Sequence, residues 1–201
     1  MDPKINVFQY KITLLDIEPE IWRRIVVPAT YSFLDLHVAI QDSMGWLDYH
    51  LHEFQLLNPD TGRIDSIGIP DDEPIDDGLN FLPGWELPLV MYFRQLGIQA
   101  KYKYDFGDGW EHGVLLEGIL IREPKSRYPK CLDGARACPP EDCGGVRGYY
   151  EMLRIINDKK NKEHKSMLEW VGDKYNPKIF DPKLVRFDNP KKRWKIAFSG
   201  D

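Results

Sequence analysis

The spacing of apolar side chains switches repeatedly between two and 3.6 residues, which restricts this chain to an α+β fold. Phe8, Tyr10, Ile12 and Leu14 fall two apart and predict a half-buried strand over 6–17. Pro19 interrupts it, and Ile21 to Val27 resumes as a second strand, forming a wide hairpin across Glu18-Pro19-Glu20. The period then changes. Ser32 with Asp35 reads as a capping box, and Phe33, Leu36, Ile40, Met44 and Leu47 make a helical stripe over 32–46.

Alternation returns at 51–57 and 101–106, then at 110–120 after the turn Gly107-Asp108-Gly109. Helices are expected near 148–157 and 162–171, and Trp194, Ile196 and Phe198 predict a last strand over 193–198. The expectation is one domain over 1–201: a single curled antiparallel or mixed sheet with about three helices covering one face. No repeat or linker marks a second domain. An irregular acidic excursion over about 63–85 crowds Asp71, Asp72, Glu73, Asp76 and Asp77 between prolines. It lacks the regular oxygen spacing of a calcium loop.

Composition narrows the setting. No apolar run approaches the length of a membrane span, and Met1 to Lys11 carries no secretory pattern. Three cysteines, an odd number, argue for reduced thiols and a cytoplasmic protein, with a local Cys138–Cys143 disulfide as the exception. The net charge of −5 divides unevenly, acidic in residues 1–100 and mildly basic in 101–201. Two halves that pack together explain this better than nucleic-acid contact does, so nucleic acid is not a favoured partner.

Three groups of residues carry potential chemistry. Cys131, Cys138 and Cys143 offer soft thiolates that suit zinc, with a fourth ligand from His112 or Asp142. Their spacing is wider than a zinc knuckle, and small buried side chains in a compact loop explain them more simply. Cys143, before Gly144-Gly145, is the best-placed nucleophile among them. The second group spans Tyr104 to His112, where Asp105, Asp108, Glu111 and His112 present oxygens and an imidazole beside Trp110. A hairpin turn with cross-strand aromatics accounts for the same residues. In the third, His50 and His52 would point the same way in a strand and reach one ion, with packing as the simpler role. No phosphate-cradling loop, nucleophile elbow or H-E-x-x-H helix is present.

The working reading is a compact binding or accessory module for an unknown ligand or protein partner. The alternative is a metal-dependent enzyme, hydrolytic in kind, in which His112 and a Cys or carboxylate from 138–143 share an ion. Its catalytic candidates are His112, Asp108, Glu141 and Asp142. A nucleic-acid-associated protein stands third. All three lean on one spatial expectation: that the cysteine loop folds back against the turn ending in Trp110 and His112.

Several stretches carry a family resemblance: IWRRIVVP (21–28), Leu36-His37 through Gly45-Trp46 to HLHEF (50–54), and YDFGDGWEH (104–112). CLDG (131–134), CPPEDCGG (138–145), Gly148-Tyr149, FDP (180–182) and Phe187-Asp188 extend it. In these the chain resembles the Ri-plasmid open-reading-frame-three-like family, also labelled transposon-passenger TnpR-like. The resemblance implies an α+β arrangement and no established biochemical activity. It marks Asp105, Asp108, Trp110, His112, Cys138, Glu141, Asp142 and Cys143 as the place where a site would lie, without specifying the chemistry.

Overall fold

The structure, a computed structural model, describes residues 2–70, 81–172 and 174–198. The acidic stretch 71–77 lies outside them. Among the described residues, eight strands form one mixed sheet: β1 (Asn6–Leu14), β2 (Ile21–Pro28), β3 (His52–Leu57), β4 (Ile64–Gly68), β5 (Phe81–Pro83), β6 (Gln99–Tyr104), β7 (Trp110–Ile121) and β8 (Lys130–Ala135). Their order is β5-β4-β3-β6-β7-β1-β2-β8, and every pairing is antiparallel except β4 with β5.

The expected curled sheet is not what forms. The sheet is open, with β5 at one edge and β8 at the other. Both edges stop further pairing in ordinary ways. β5 is only three residues long, while β8 is short and meets β2 through an irregular register at Arg24/Ile25. The ring of Phe180 also covers the edge, so close to Gly134 that a Cβ there would collide with it.

Among the described residues four α-helices accompany the sheet, close to the three expected: α1 (Phe33–Met44), α2 (Gly145–Asn157), α3 (His164–Val171) and α4 (Pro190–Phe198). The capping box of α1 is made in both directions by Ser32 and Asp35. Gly45 ends the helix at φ 88°, a left-handed conformation that glycine adopts without a steric cost. Leu47 falls beyond that cap and is exposed, so the stripe stops at Met44. Phe33, Leu36, Ile40 and Met44 are buried, and α1 reaches from β2 to β4 across the sheet.

Three local readings need correction. Residues 193–198 are helical, not a strand. Asn189 accepts from the Lys191 amide, as a helix cap does, and Pro190 follows at the first helical position. Those start signals outweigh three alternating apolar residues. The stretch 63–85 is less irregular than expected, since Ile64–Gly68 pairs with β3 and Phe81–Pro83 with β4. Finally, β8 lies within a segment whose prolines and glycines had masked any strand period.

Arg23 sits on the core face of β2 and is almost fully buried. Its guanidinium donates to the carbonyls of Ser43, Trp22 and Ala135, and lies 3.6 Å from the centre of the Phe180 ring. These contacts tie α1, the edge strand β8 and the 180s segment to β2 through one charge. No helix among the described residues is long and apolar enough to cross a membrane.

A glycine at the start of α2 tests this packing. Gly→Ala in a helix normally gains up to about 1 kcal/mol. At Gly148 the new Cβ would run into the Cys143 carbonyl oxygen. Gly148→Ala should therefore lower the thermal midpoint, and calorimetry that found a higher midpoint would contradict the arrangement of this turn.

Candidate functional site

One end of the sheet brings together the start of β3, the end of β6 and the start of β7: His52 pairs with Tyr104, and Tyr104 with Trp110. The loop 138–145 folds over this end. Trp46 donates from Nε1 to the Pro139 carbonyl at 2.9 Å, and the Gly144 amide donates to Asp108 at 3.1 Å. Glu141 receives the Tyr104 hydroxyl at 2.5 Å and the Leu47 amide at 2.8 Å. Burial and the adjoining Glu141 carboxylate push the Tyr104 phenol up, so it stays a hydrogen-bond donor. Gly145 presses so closely on the Asp108 backbone that a side chain would clash there.

Three polar side chains converge where that loop, through Asp142, meets the end of the sheet. His50 Nε2 lies 3.0 Å from Asp142 Oδ1 and 3.6 Å from Asp105 Oδ2. Their potential ligand atoms all lie within 4.8 Å of one another, and no other set of three His, Cys, Asp or Glu does so among the described residues. The turn after β6 holds Asp105: its Oδ1 accepts from the Gly107 and Asp108 amides at 2.9 and 3.2 Å, leaving Oδ2 toward His50. Asp105 and Asp142 have φ of 56° and 58°, and nearby Asp48 has 64°. Aspartate adopts this left-handed conformation more readily than most residues, because its short side chain can bond nearby backbone, as Asp105 does with the Gly107 and Asp108 amides.

The remaining candidates are placed differently. His112 is fully enclosed in β7, its Nδ1 3.4 Å from the Tyr102 carbonyl and its Nε2 without a partner. Burial lowers its pKa to about 3, so it is a neutral core residue. Trp46 contacts it edge-on at 5.4 Å while bonding Pro139, and so intervenes between His112 and the cysteine loop. Trp110 is also buried, with Nε1 unpaired.

The three thiols do not gather with His112. Cys131 is on the edge strand β8, Cys138 is buried, Cys143 is half-buried, and all are free of disulfides. Burial pushes Cys131 up to about 11 and Cys138 and Cys143 to about 12. That is the reverse of an activated nucleophile. Asp108 is engaged by the Gly144 amide and Glu141 by Tyr104, so both carboxylates fasten the loop.

His50 and His52 part company because β3 begins only at His52. His52 stacks on His37, rings 3.5 Å apart at 8°, while His50 turns to the two aspartates. Sequence reasoning missed the loop-fastening role of Tyr104 and the place of Asp48 against His37. Neither has a motif, since both depend on contacts tens of residues away or across a turn.

An open mixed α+β sheet whose end is capped by a glycine- and cysteine-bearing loop defines the class. The chain belongs to the family described as "Plasmid pRiA4b ORF-3-like protein", whose sequence profile matches residues 6–184. It is 36% identical over 168 residues to "Uncharacterized protein y4hQ" of Sinorhizobium fredii, covering 83% of this chain and 81% of that one. The crystal structure of a "Protein of Unknown Function", MM3350 from Methanosarcina mazei Go1, has the same fold. It superposes with a TM-score of 0.83 at 45% identity, over 91% of this chain and 99% of that one.

Two measurements follow from the burial of these groups. His112 and His52 are both held neutral in the fold, chiefly by burial. The unfolded chain binds their protons below about pH 6.5 while the folded chain does not, so stability falls as pH drops through that value. At pH 5 His112 should cost about 2 kcal/mol relative to pH 7, and His52 adds to the loss in the same direction. Denaturant titrations at the two pH values should show this, and His112→Phe should remove its share. The thiols should react with a disulfide reagent at pH 8 at least about a hundredfold more slowly in the folded protein than after unfolding; equal rates would mean they are not buried as described.

Proposed function

We propose that this compact binding module holds a divalent metal ion between His50, Asp105 and Asp142. The observation carrying the proposal is the convergence of one imidazole and two carboxylates from three separate segments. An ion bonded at about 2.1 Å by nitrogen and oxygen sets neighbouring ligand atoms roughly 3.0–3.4 Å apart. The His50 separations of 3.0 and 3.6 Å bracket that span. The amides on Asp105 Oδ1 orient its carboxylate as outer-shell partners of metal ligands do.

Zinc suits this set, which supplies three protein ligands and leaves a position open. His50 and Asp142 are partly exposed, so an ion there would be reachable from solvent. That access favours a second reading, hydrolysis by a metal-polarised water. Three free thiols support a reducing compartment, the cytoplasm.

Elemental analysis of untagged protein, with calorimetric zinc titration, tests the metal reading. About one ion per chain is expected, and His50→Ala or Asp142→Asn should weaken binding at least about tenfold. Wild-type protein that takes up no divalent ion, or variants that bind as well as wild type, would refute it.

A further inference from the structure

A groove of about 450 Å³ lies between α2 and α3 and reaches Asp142, one of the three ligands proposed for the ion. Its walls include Asp142, Cys143, Met152, Ser166, Met167 and Trp170.

The two helices leave apolar surface unspent here. No residue of α3 is fully buried, and Met167 is only partly covered by the core. Trp170 stays 52% exposed. A half-exposed indole beside two methionines is apolar surface of the kind that binding sites carry. Unbranched thioether side chains also adjust to the shape of what lies on them.

The polar side chains of the groove are used by the fold, with one exception. Ser166 Oγ donates to the Glu163 carbonyl at 3.0 Å, and the two Glu151 oxygens accept from Arg154 at 2.9 and 2.6 Å. The Cys143 thiol turns to the Gly145 carbonyl. Asp142 is the exception. Its side chain is 66% exposed, its Oδ1 lies 3.0 Å from His50, and it belongs both to the ion site and to the groove. An ion on that carboxylate sits about 2.1 Å from its oxygen, so a molecule bound to the ion has the groove beside it.

Charge and size restrict the occupant. No lysine, arginine or histidine lines the groove, whereas the carboxylates of Asp142 and Glu151 do, so an anionic tail is opposed. The volume is that of roughly fifteen waters at about 30 Å³ each, enough for an aryl or branched alkyl group.

We propose that this groove receives the apolar tail of an acyl compound whose carbonyl or carboxylate oxygen sits on the ion. The proposal rests on the metal reading and adds the class of ligand: an acid, amide or ester carrying an uncharged aryl or branched alkyl group. The ion fixes the head. The groove selects the tail by the apolar area removed from water, each buried methylene being worth about a fourfold gain in affinity.

Hydroxamates are the probes, since they share one metal-binding head and differ only in the tail. Calorimetry on the zinc-loaded protein compares acetohydroxamate, 3-phenylpropanohydroxamate and the monohydroxamate of succinic acid, whose tail is a carboxylate. The aryl probe should bind at least about tenfold more tightly than acetohydroxamate, and the anionic probe no more tightly than acetohydroxamate. Trp170→Ala removes part of the wall and Ser166→Trp fills the groove. Either should bring the aryl probe to within about threefold of acetohydroxamate. Both positions are exposed and neither is an ion ligand, so zinc uptake and acetohydroxamate affinity should stay as in wild type. Zinc-loaded protein that binds the three probes alike, or variants that keep the wild-type preference, would overturn this proposal and leave the metal reading standing. Wild-type protein that takes up no zinc would overturn both.

Discussion

The docking of loop 138–145 onto the end of the sheet is the contact on which the rest of the molecule's chemistry depends. Its hydrogen bonds reach residues far away in sequence: Trp46 to Pro139, Leu47 and Tyr104 to Glu141, Gly144 to Asp108, and Tyr175 to Cys138, besides the His50–Asp142 contact. Glycines at 144 and 145 are required because the loop must run against the Asp108 backbone with φ of 89° and 66°. Without that close approach Asp142 would have no reason to face His50. The carboxylates at 108 and 141, which look like catalytic acids in isolation, are the fastenings that put a third carboxylate in place.

The aromatic residues beneath the loop convert this docking into rigidity. Trp46 stacks on Tyr104 with ring centres 5.0 Å apart and meets both Trp110 and His112. A dense aromatic floor leaves its polar atoms few partners, and among the described residues four of the side-chain atoms left unpaired in the interior, on Tyr10, Trp110, His112 and Tyr149, belong to aromatic side chains of this core. Such groups are tolerated only where packing around them is strong. The same enclosure that makes His112 inert as a ligand makes it a source of acid sensitivity.

Close to this loop, α4 is held to α1 through charge. Arg193 joins Asp42 and Asp188, and Asp42 is itself nearly buried, so the pair is shielded from solvent screening. The family profile ends at residue 184, before this helix begins.

Much of the fold was legible in the order of residues because the signals are local. The β1–β2 hairpin, the α1 capping box and the β6–β7 turn each follow from side chains within a few positions of one another. Where two local signals competed, at 189–198, the cap at Asn189 and Pro190 prevailed over alternation, and alternation was the weaker guide. Sheet closure was not legible, since it depends on which edges meet. The site was half legible: His50, Asp105 and Asp142 all stood among the candidates, but in different groups. Their union is a tertiary fact, because 37 and 55 residues separate them and no periodicity reaches that far. Local chemistry determined the elements; only long-range hydrogen bonding and aromatic packing decided which side chains would share a space.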